Sequence, residues 1–144
     1  AGAAAAAAAG VVGAVAESQL RPGPPTRPVA TGEIVPHDGQ WVAVASAEDL
    51  ARGNVARFAT ATTVGFVTGR GEAVSAVSGS CTHQGCLLRL NEAAGRLDCP
   101  CHRTAFAFDG QVLFNQLETP PAPLPEIRVR NRDGQIEAFL PREV

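Results

Sequence analysis

At 144 residues, with 45% hydrophobic residues and a formal net charge of −2, the chain suits one small domain with an extra segment, not two full domains. All twelve basic residues are Arg, scattered among acids with no basic stripe, so no nucleic-acid surface is expected. A body this small buries a modest share of its surface, and a cross-link or a metal would help to hold it together.

Residues 1–20 open on AGAAAAAAAGVVGAVA, an uncharged apolar run over 1–16. The run is read as the apolar part of an export signal or of a membrane anchor. Ala14-Val15-Ala16 before Glu17 resembles a small-x-small cleavage site, while a membrane span usually takes about 20 apolar residues. Residues 21–37 are rich in Pro and Gly and read as a semi-rigid extended linker, with His37 as a surface residue. Residues 38–144 are expected to form the folded domain.

From residue 38 the pattern is β. Candidate strands are Trp41–Ala45, Val55–Thr60, Thr63–Thr68, Ala73–Val77, Ala105–Phe108, Ile127–Arg130 and Gln135–Leu140. Turn signals lie between them at Thr68-Gly69-Arg70-Gly71, Asp109-Gly110 and Asp133-Gly134. In Ile127-Arg128-Val129-Arg130 the alternation would turn both Arg residues to water. A single short helix is expected near Ser46, with Ser46 as N-cap and Asp49 three residues on. Many short strands at this spacing indicate an all-β fold, a small antiparallel sandwich or barrel.

Two segments carry the chemistry: Cys81-Thr82-His83-Gln84-Gly85-Cys86 and Cys99-Pro100-Cys101-His102. All four Cys and two of the three His fall in these windows. Each window offers a Cys and a His to one centre, as C-x-H and then C-x₂-H. Thiolates suit iron–sulfur clusters, and imidazole is a neutral borderline ligand. Two thiolates and two imidazoles on a [2Fe–2S] core give the ligation that raises the potential to roughly −150 to +300 mV, because two neutral ligands replace two anions. A structural Zn²⁺ would take the same donor types, although zinc fingers usually begin C-x₂₋₄-C and this order differs. Two disulfides among the four Cys are the other alternative.

The windows resemble the CTHxGC and CPCH boxes of Rieske iron–sulfur proteins, the family of the cytochrome bc₁ and b₆f complexes, over about residues 38–142. The resemblance implies a Rieske-type β-sandwich or barrel with a two-loop cluster-binding subdomain and one [2Fe–2S] cluster. It implies Cys81 and Cys99 on one iron, and His83 and His102 on the other. It also implies a Cys86–Cys101 disulfide bracing the loops, which points to an exported or membrane-anchored protein facing an oxidising, extracytoplasmic compartment. Gly85 is expected to permit a tight turn in the first box.

The second box departs from the family's usual Gly-Ser and Phe/Tyr continuation, reading Arg103-Thr104-Ala105-Phe106. Thr104 keeps a hydroxyl that could donate to a cluster sulfide. Phe106 lacks the hydroxyl of a Tyr, so the potential is expected below the top of the family range. Arg103 is either a cation tuning the site or its docking face, or a solvent-facing loop residue. Thr119–Leu124 is the nearest match to the family's Pro-rich loop, and Leu87 and Leu88 are read as cluster shield or core.

The resemblance implies an electron-transfer subunit, with no complete active site in this chain. Its partners would be a cytochrome b- or c-type protein and quinol, in a membrane quinol-oxidising chain. Alternatives are the small subunit of an exported oxidase resembling arsenite oxidase, with a molybdenum subunit as partner, and a soluble ferredoxin of a ring-hydroxylating oxygenase. Ferredoxins of that kind usually lack the second Cys pair. Proton and electron uptake at the two His are expected to be coupled, since an added electron lowers the positive charge beside the imidazoles. The midpoint potential should therefore fall as pH rises between about 6 and 10, and a flat potentiometric titration would contradict this.

Overall fold

The computed structural model describes residues 33–53, 55–70 and 73–143. The apolar segment 1–20 and most of the linker lie outside them. In chain order the strands are β1 (Glu33–Ile34), β2 (Gly39–Ser46), β3 (Val55–Ala59), β4 (Val64–Arg70), β5 (Ala73–Ser78) and β6 (Arg89–Asn91). They continue with β7 (Arg96–Asp98), β8 (Ala105–Phe106), β9 (Val112–Phe114), β10 (Glu126–Ile127), β11 (Val129–Arg132) and β12 (Gln135–Pro141). One helix, α1 (Ala47–Gly53), follows β2. Three sheets result, ordered β1-β10-β5-β4-β3, β11-β12-β2 and β6-β7-β8-β9. All pairings are antiparallel except β1 with β10.

The five-stranded sheet is the middle layer. On one face Phe58, Val67, Ala76 and Ile127 pack against Ile136, Ala138 and Leu140 of β12, with Leu50 from α1. On the other, Val55, Phe66 and Val77 pack against Leu88, Leu97, Phe106, Leu124 and the two thiols Cys81 and Cys99. Successive strand residues point to opposite faces, so β4 buries both Phe66 and Val67 completely. A strand covered on both sides reads as a continuous apolar run, and Val64-Gly65-Phe66-Val67 is one. β12, covered on one side, instead buries alternate residues.

The helix starts as its sequence requires. Asp49 N–H donates to Ser46 Oγ at 3.0 Å, and Ser46 N–H donates to Asp49 Oδ2 at 3.2 Å. This reciprocal cap satisfies two N-terminal donors. Asp133 and Gly134 have φ of 53° and 89°, the left-handed pair that a two-residue hairpin turn demands.

Four expectations change. Ile127–Arg130 is not one strand: the chain leaves the five-stranded sheet after Ile127 and joins the three-stranded one at Val129. Arg130 does not simply face water, because it pairs with Glu137 at 2.7 Å and lies 4.0 Å from the Trp41 ring centroid. Ala105–Phe108 ends as a strand at Phe106, where Ala107 enters a turn closed by its N–H to Gln111 O at 2.8 Å. The stretch read as linker contributes β1 at its end, where Glu33 pairs with Arg128.

Among the described residues no helix is long and apolar enough to cross a membrane. Phe66→Ala should cost about 3–5 kcal/mol, since Phe66 is wholly buried under the thiols. Leu113→Ala, at an exposed position, should stay within about 0.5 kcal/mol. Urea unfolding of the two variants reads the difference.

Candidate metal centre

Each Cys/His box is the tip of a hairpin. The first projects beyond β5 and is closed by the Ser80–Leu87 bridge and by Leu88 N–H to Gly79 O at 2.8 Å. Within it, Cys81 N–H donates to Cys86 O at 2.8 Å and Gly85 N–H to Cys81 O at 2.7 Å. Gly85 has φ +75°, a value that side chains with a Cβ resist, as the tight turn at this position requires. The second box joins β7 to β8, with Cys99 N–H to Thr104 O at 2.9 Å and Thr104 N–H to His102 O at 2.8 Å. Its base is fixed by Asp98, which accepts from Arg96 Nε at 2.7 Å and Asn91 Nδ2 at 3.0 Å.

The tips are cross-linked by a Cys86–Cys101 disulfide with Cα atoms 6.5 Å apart. The remaining thiols, Cys81 and Cys99, are free and buried. His102 stands between them: Nε2 lies 3.9 Å from Cys81 Sγ and Nδ1 lies 3.8 Å from Cys99 Sγ. These three donors are all within 4.8 Å of one another. His83 is outside that trio but its ring sits edge-on to His102, with centroids 4.7 Å apart. His83 is exposed and His102 half-buried. The pair of imidazoles therefore forms the outer side of the site and the thiols the inner side.

Burial pushes the Cys81 thiol above its ordinary range, and backbone hydrogen bonds from His83 and Gln84 only partly offset that. A thiolate at such a position needs a metal cation to hold it. Thr104 adds an independent indication. Its residue is 2% exposed, and its hydroxyl has no hydrogen-bond partner among the described residues. Buried hydroxyls in proteins are normally paired, so an acceptor at the adjacent centre would complete it. The donor set and the orphaned hydroxyl both fit an iron–sulfur cluster.

Other residues of the boxes sort by exposure. Arg103 is exposed, Phe106 wholly buried, Leu88 part of the core beside the thiols, and Leu87 exposed. His37 is also exposed. Sequence reasoning did not single out Thr82, whose hydroxyl donates to Ala122 O at 2.6 Å. That bond ties the Pro-rich segment to the first box. A contact across 40 residues leaves no local signal, although a polar Thr inside the box is a position to examine.

Two hairpin tips that present thiols and imidazoles from an all-β body, joined by a disulfide, define an iron–sulfur electron-transfer domain. The Rieske [2Fe-2S] domain profile matches residues 40–128, and the chain belongs to that family. It carries one Rieske-type [2Fe–2S] cluster. A cytochrome b6-f complex iron-sulfur subunit of Chlorobaculum tepidum is 38% identical over 71 residues, 49% of this chain and 38% of that protein. A carotenoid phi-ring synthase of the same organism is 37% identical over 65 residues, 45% of this chain and 10% of that protein. The chain thus spans well under half the length of these curated relatives. The crystal structure of the plasma membrane Rieske protein PetC3 from Synechocystis PCC 6803 superimposes with a TM-score of 0.54 at 30% identity, covering 67% of this chain and 97% of that one. A quaternary ammonium Rieske monooxygenase shares the fold, with a TM-score of 0.57 at 20% identity over 69% of this chain and 30% of that one.

The disulfide closes a loop of sequence separation 15, for which the chain-entropy argument gives about 3 kcal/mol. The Cys86→Ala/Cys101→Ala variant should lose stability of that order in denaturant unfolding. It should also lose its visible absorption sooner than the parent on dilution into denaturant.

Proposed function

We propose that this chain is the electron-carrying domain of a membrane quinol-oxidising chain of the cytochrome bc type, with Cys81 and Cys99 on one iron and His83 and His102 on the other. The observation that carries it is the division of labour among the four Cys: two are buried, free and beside His102, while two are joined in the clamp. The clamp and the likeness to b6-f iron-sulfur subunits support the quinol-oxidising setting over a soluble ferredoxin. Residues 38–144 would be the redox domain, with segments 1–20 and 21–37 tethering it to an extracytoplasmic membrane face.

When bound, the cluster supplies one-electron chemistry at a raised potential, because two of its protein ligands are neutral. The chain's own residues set the conditions. Cys81 and Cys99 lie in the apolar cluster with Phe66, Leu88 and Phe106, so they keep water from the inner side. His83, being exposed, offers the edge at which a quinol hydroxyl could hydrogen-bond and hand over its proton and electron. Thr82 and Ala122 hold the Pro-rich segment against the same tip. Thr104 has a free hydroxyl proton to donate towards a sulfur, which favours the more negative, reduced state. Phe106 has none, which keeps the potential below the top of the family range.

The reduced protein should show a Rieske-type EPR signal, and copurification with a cytochrome b, not a molybdenum subunit, tests the setting. Thr104→Val should keep the cluster and lower the midpoint potential by about 40 mV, the equivalent of about 1 kcal/mol for one electron. The same variant should leave the cluster-free protein at least as stable, since an unpaired buried hydroxyl is removed. An unchanged potential would take Thr104 out of the site.

A further inference from the structure

Beside the disulfide, with neither His83 nor His102 in its lining, an open groove of about 570 Å³ runs across the hairpin tips. Leu87, Leu88 and the Cys86–Cys101 disulfide line it, and Arg57 of β3 and Arg89 of β6 flank it. Leu87 is 50% exposed, so its side chain is open to contact from outside. Five other arginines, Arg52, Arg96, Arg128, Arg130 and Arg142, are each paired with a carboxylate. Arg57 and Arg89 have no such partner among the described residues, and neither has Arg103 in the second box. Arg132 at the β11–β12 turn is likewise without a carboxylate, but Arg57 and Arg89 stand together on this groove, with Arg103 in the neighbouring box.

We propose that this groove docks a redox partner protein through an acidic patch that surrounds an apolar side chain. Guanidinium groups left without carboxylates match carboxylates on another surface. An apolar floor ringed by Arg is the composition of an interface core. Cys99 Sγ lies within 4.8 Å of both disulfide sulfurs, so a protein seated here would be a short distance from the thiol side of the centre. A one-electron acceptor such as a ferric haem protein could take one electron by this route, becoming ferrous while the centre is oxidised by one. The inference rests on the electron-transfer reading above and adds a second face to it, distinct from the His edge.

The test uses the cluster-loaded full chain, reduced with dithionite and freed of excess, against a c-type cytochrome with an acidic surface. Stopped-flow rates and calorimetric affinities are measured at graded salt. The Arg57→Glu/Arg89→Glu variant should slow the reaction at low salt by about tenfold or more, the scale of electrostatic steering. The difference should shrink as salt shortens the Debye length. Arg132→Glu at the β11–β12 turn, with the same change in charge per site, should have little effect, and Arg57→Gln/Arg89→Gln serves if the acidic pair perturbs folding. Equal slowing by Arg132→Glu, unchanged rates and affinities in both groove variants, or loss of sedimentation with phosphatidylglycerol vesicles in place of any cytochrome effect would overturn the proposal. The EPR signal separates the two levels: its absence from the parent protein overturns the electron-transfer reading, whereas a normal signal with unaltered rates overturns only the docking face.

Discussion

The bond between Cys86 and Cys101 joins two hairpin tips that are 15 residues apart in sequence and belong to different sheet connections. Each tip is mostly turn, with local backbone hydrogen bonds and little apolar surface of its own. Segments of that kind open at low free-energy cost. Holding two thiols and two imidazoles around one centre requires the tips to keep a fixed separation, which the covalent link imposes whether or not metal is present. The link also removes two of four thiols from competition. Cys86 and Cys101 lie close enough to Cys99 to form an alternative metal-like trio, and oxidation leaves Cys81 and Cys99 as the available sulfur ligands.

Below the tips, the five-stranded sheet does two jobs because both its faces are covered. The Phe58–Val67–Ala76 face holds the three-stranded sheet and α1, and the Val55–Phe66–Val77 face holds the cluster-binding subdomain. Since Phe66 and the thiols share one apolar cluster, the sulfur side of the site is as dry as the protein core. Burial of thiolates without a counter-charge would be costly, and the upward push on the Cys81 thiol expresses that cost. Binding of metal and folding of the tips are then coupled: the metal supplies the positive charge, and the core supplies the rigidity.

Much of this was legible in the sequence where the signal was local. The ligand boxes are contiguous, so residue type and spacing were enough to single out Cys81, His83, Cys99 and His102, of which Cys81, Cys99 and His102 come together in the structure and His83 stands against His102. The Ser46/Asp49 cap and the Asp133-Gly134 turn are three- and two-residue signals, and both appear as expected. What sequence did not reveal was non-local or too short. Strands β6, β7 and β9 have three residues each, less than two periods of alternation, so no pattern can accumulate. The break at Arg128 depends on which sheet each neighbour joins, and the seating of Arg130 depends on Trp41, far away in the chain. Thr82 and Thr104 show the same limit: a hydroxyl is visible in sequence, but not whether its partner is Ala122 O or nothing among the described residues.

The distribution of charge follows from the same division between body and tip. Four of the five ion pairs among the described residues, those of Arg52, Arg128, Arg130 and Arg142, lie on α1, β1, β10, β11, β12 or their flanks. Surface pairs of this type typically add about 0–1 kcal/mol. Their larger effect is to neutralise the arginines they hold on the flanks of the body. At the tip the opposite holds: Arg57, Arg89 and Arg103 keep their charge open beside an exposed Leu87. A domain that gains and loses an electron is selective through which surfaces can approach its centre. With the sulfur side sealed by Phe66 and Phe106, approach is confined to the His edge and the disulfide face. Under the docking proposed above, the uncovered cations would make the second of these the face that distinguishes one partner from another.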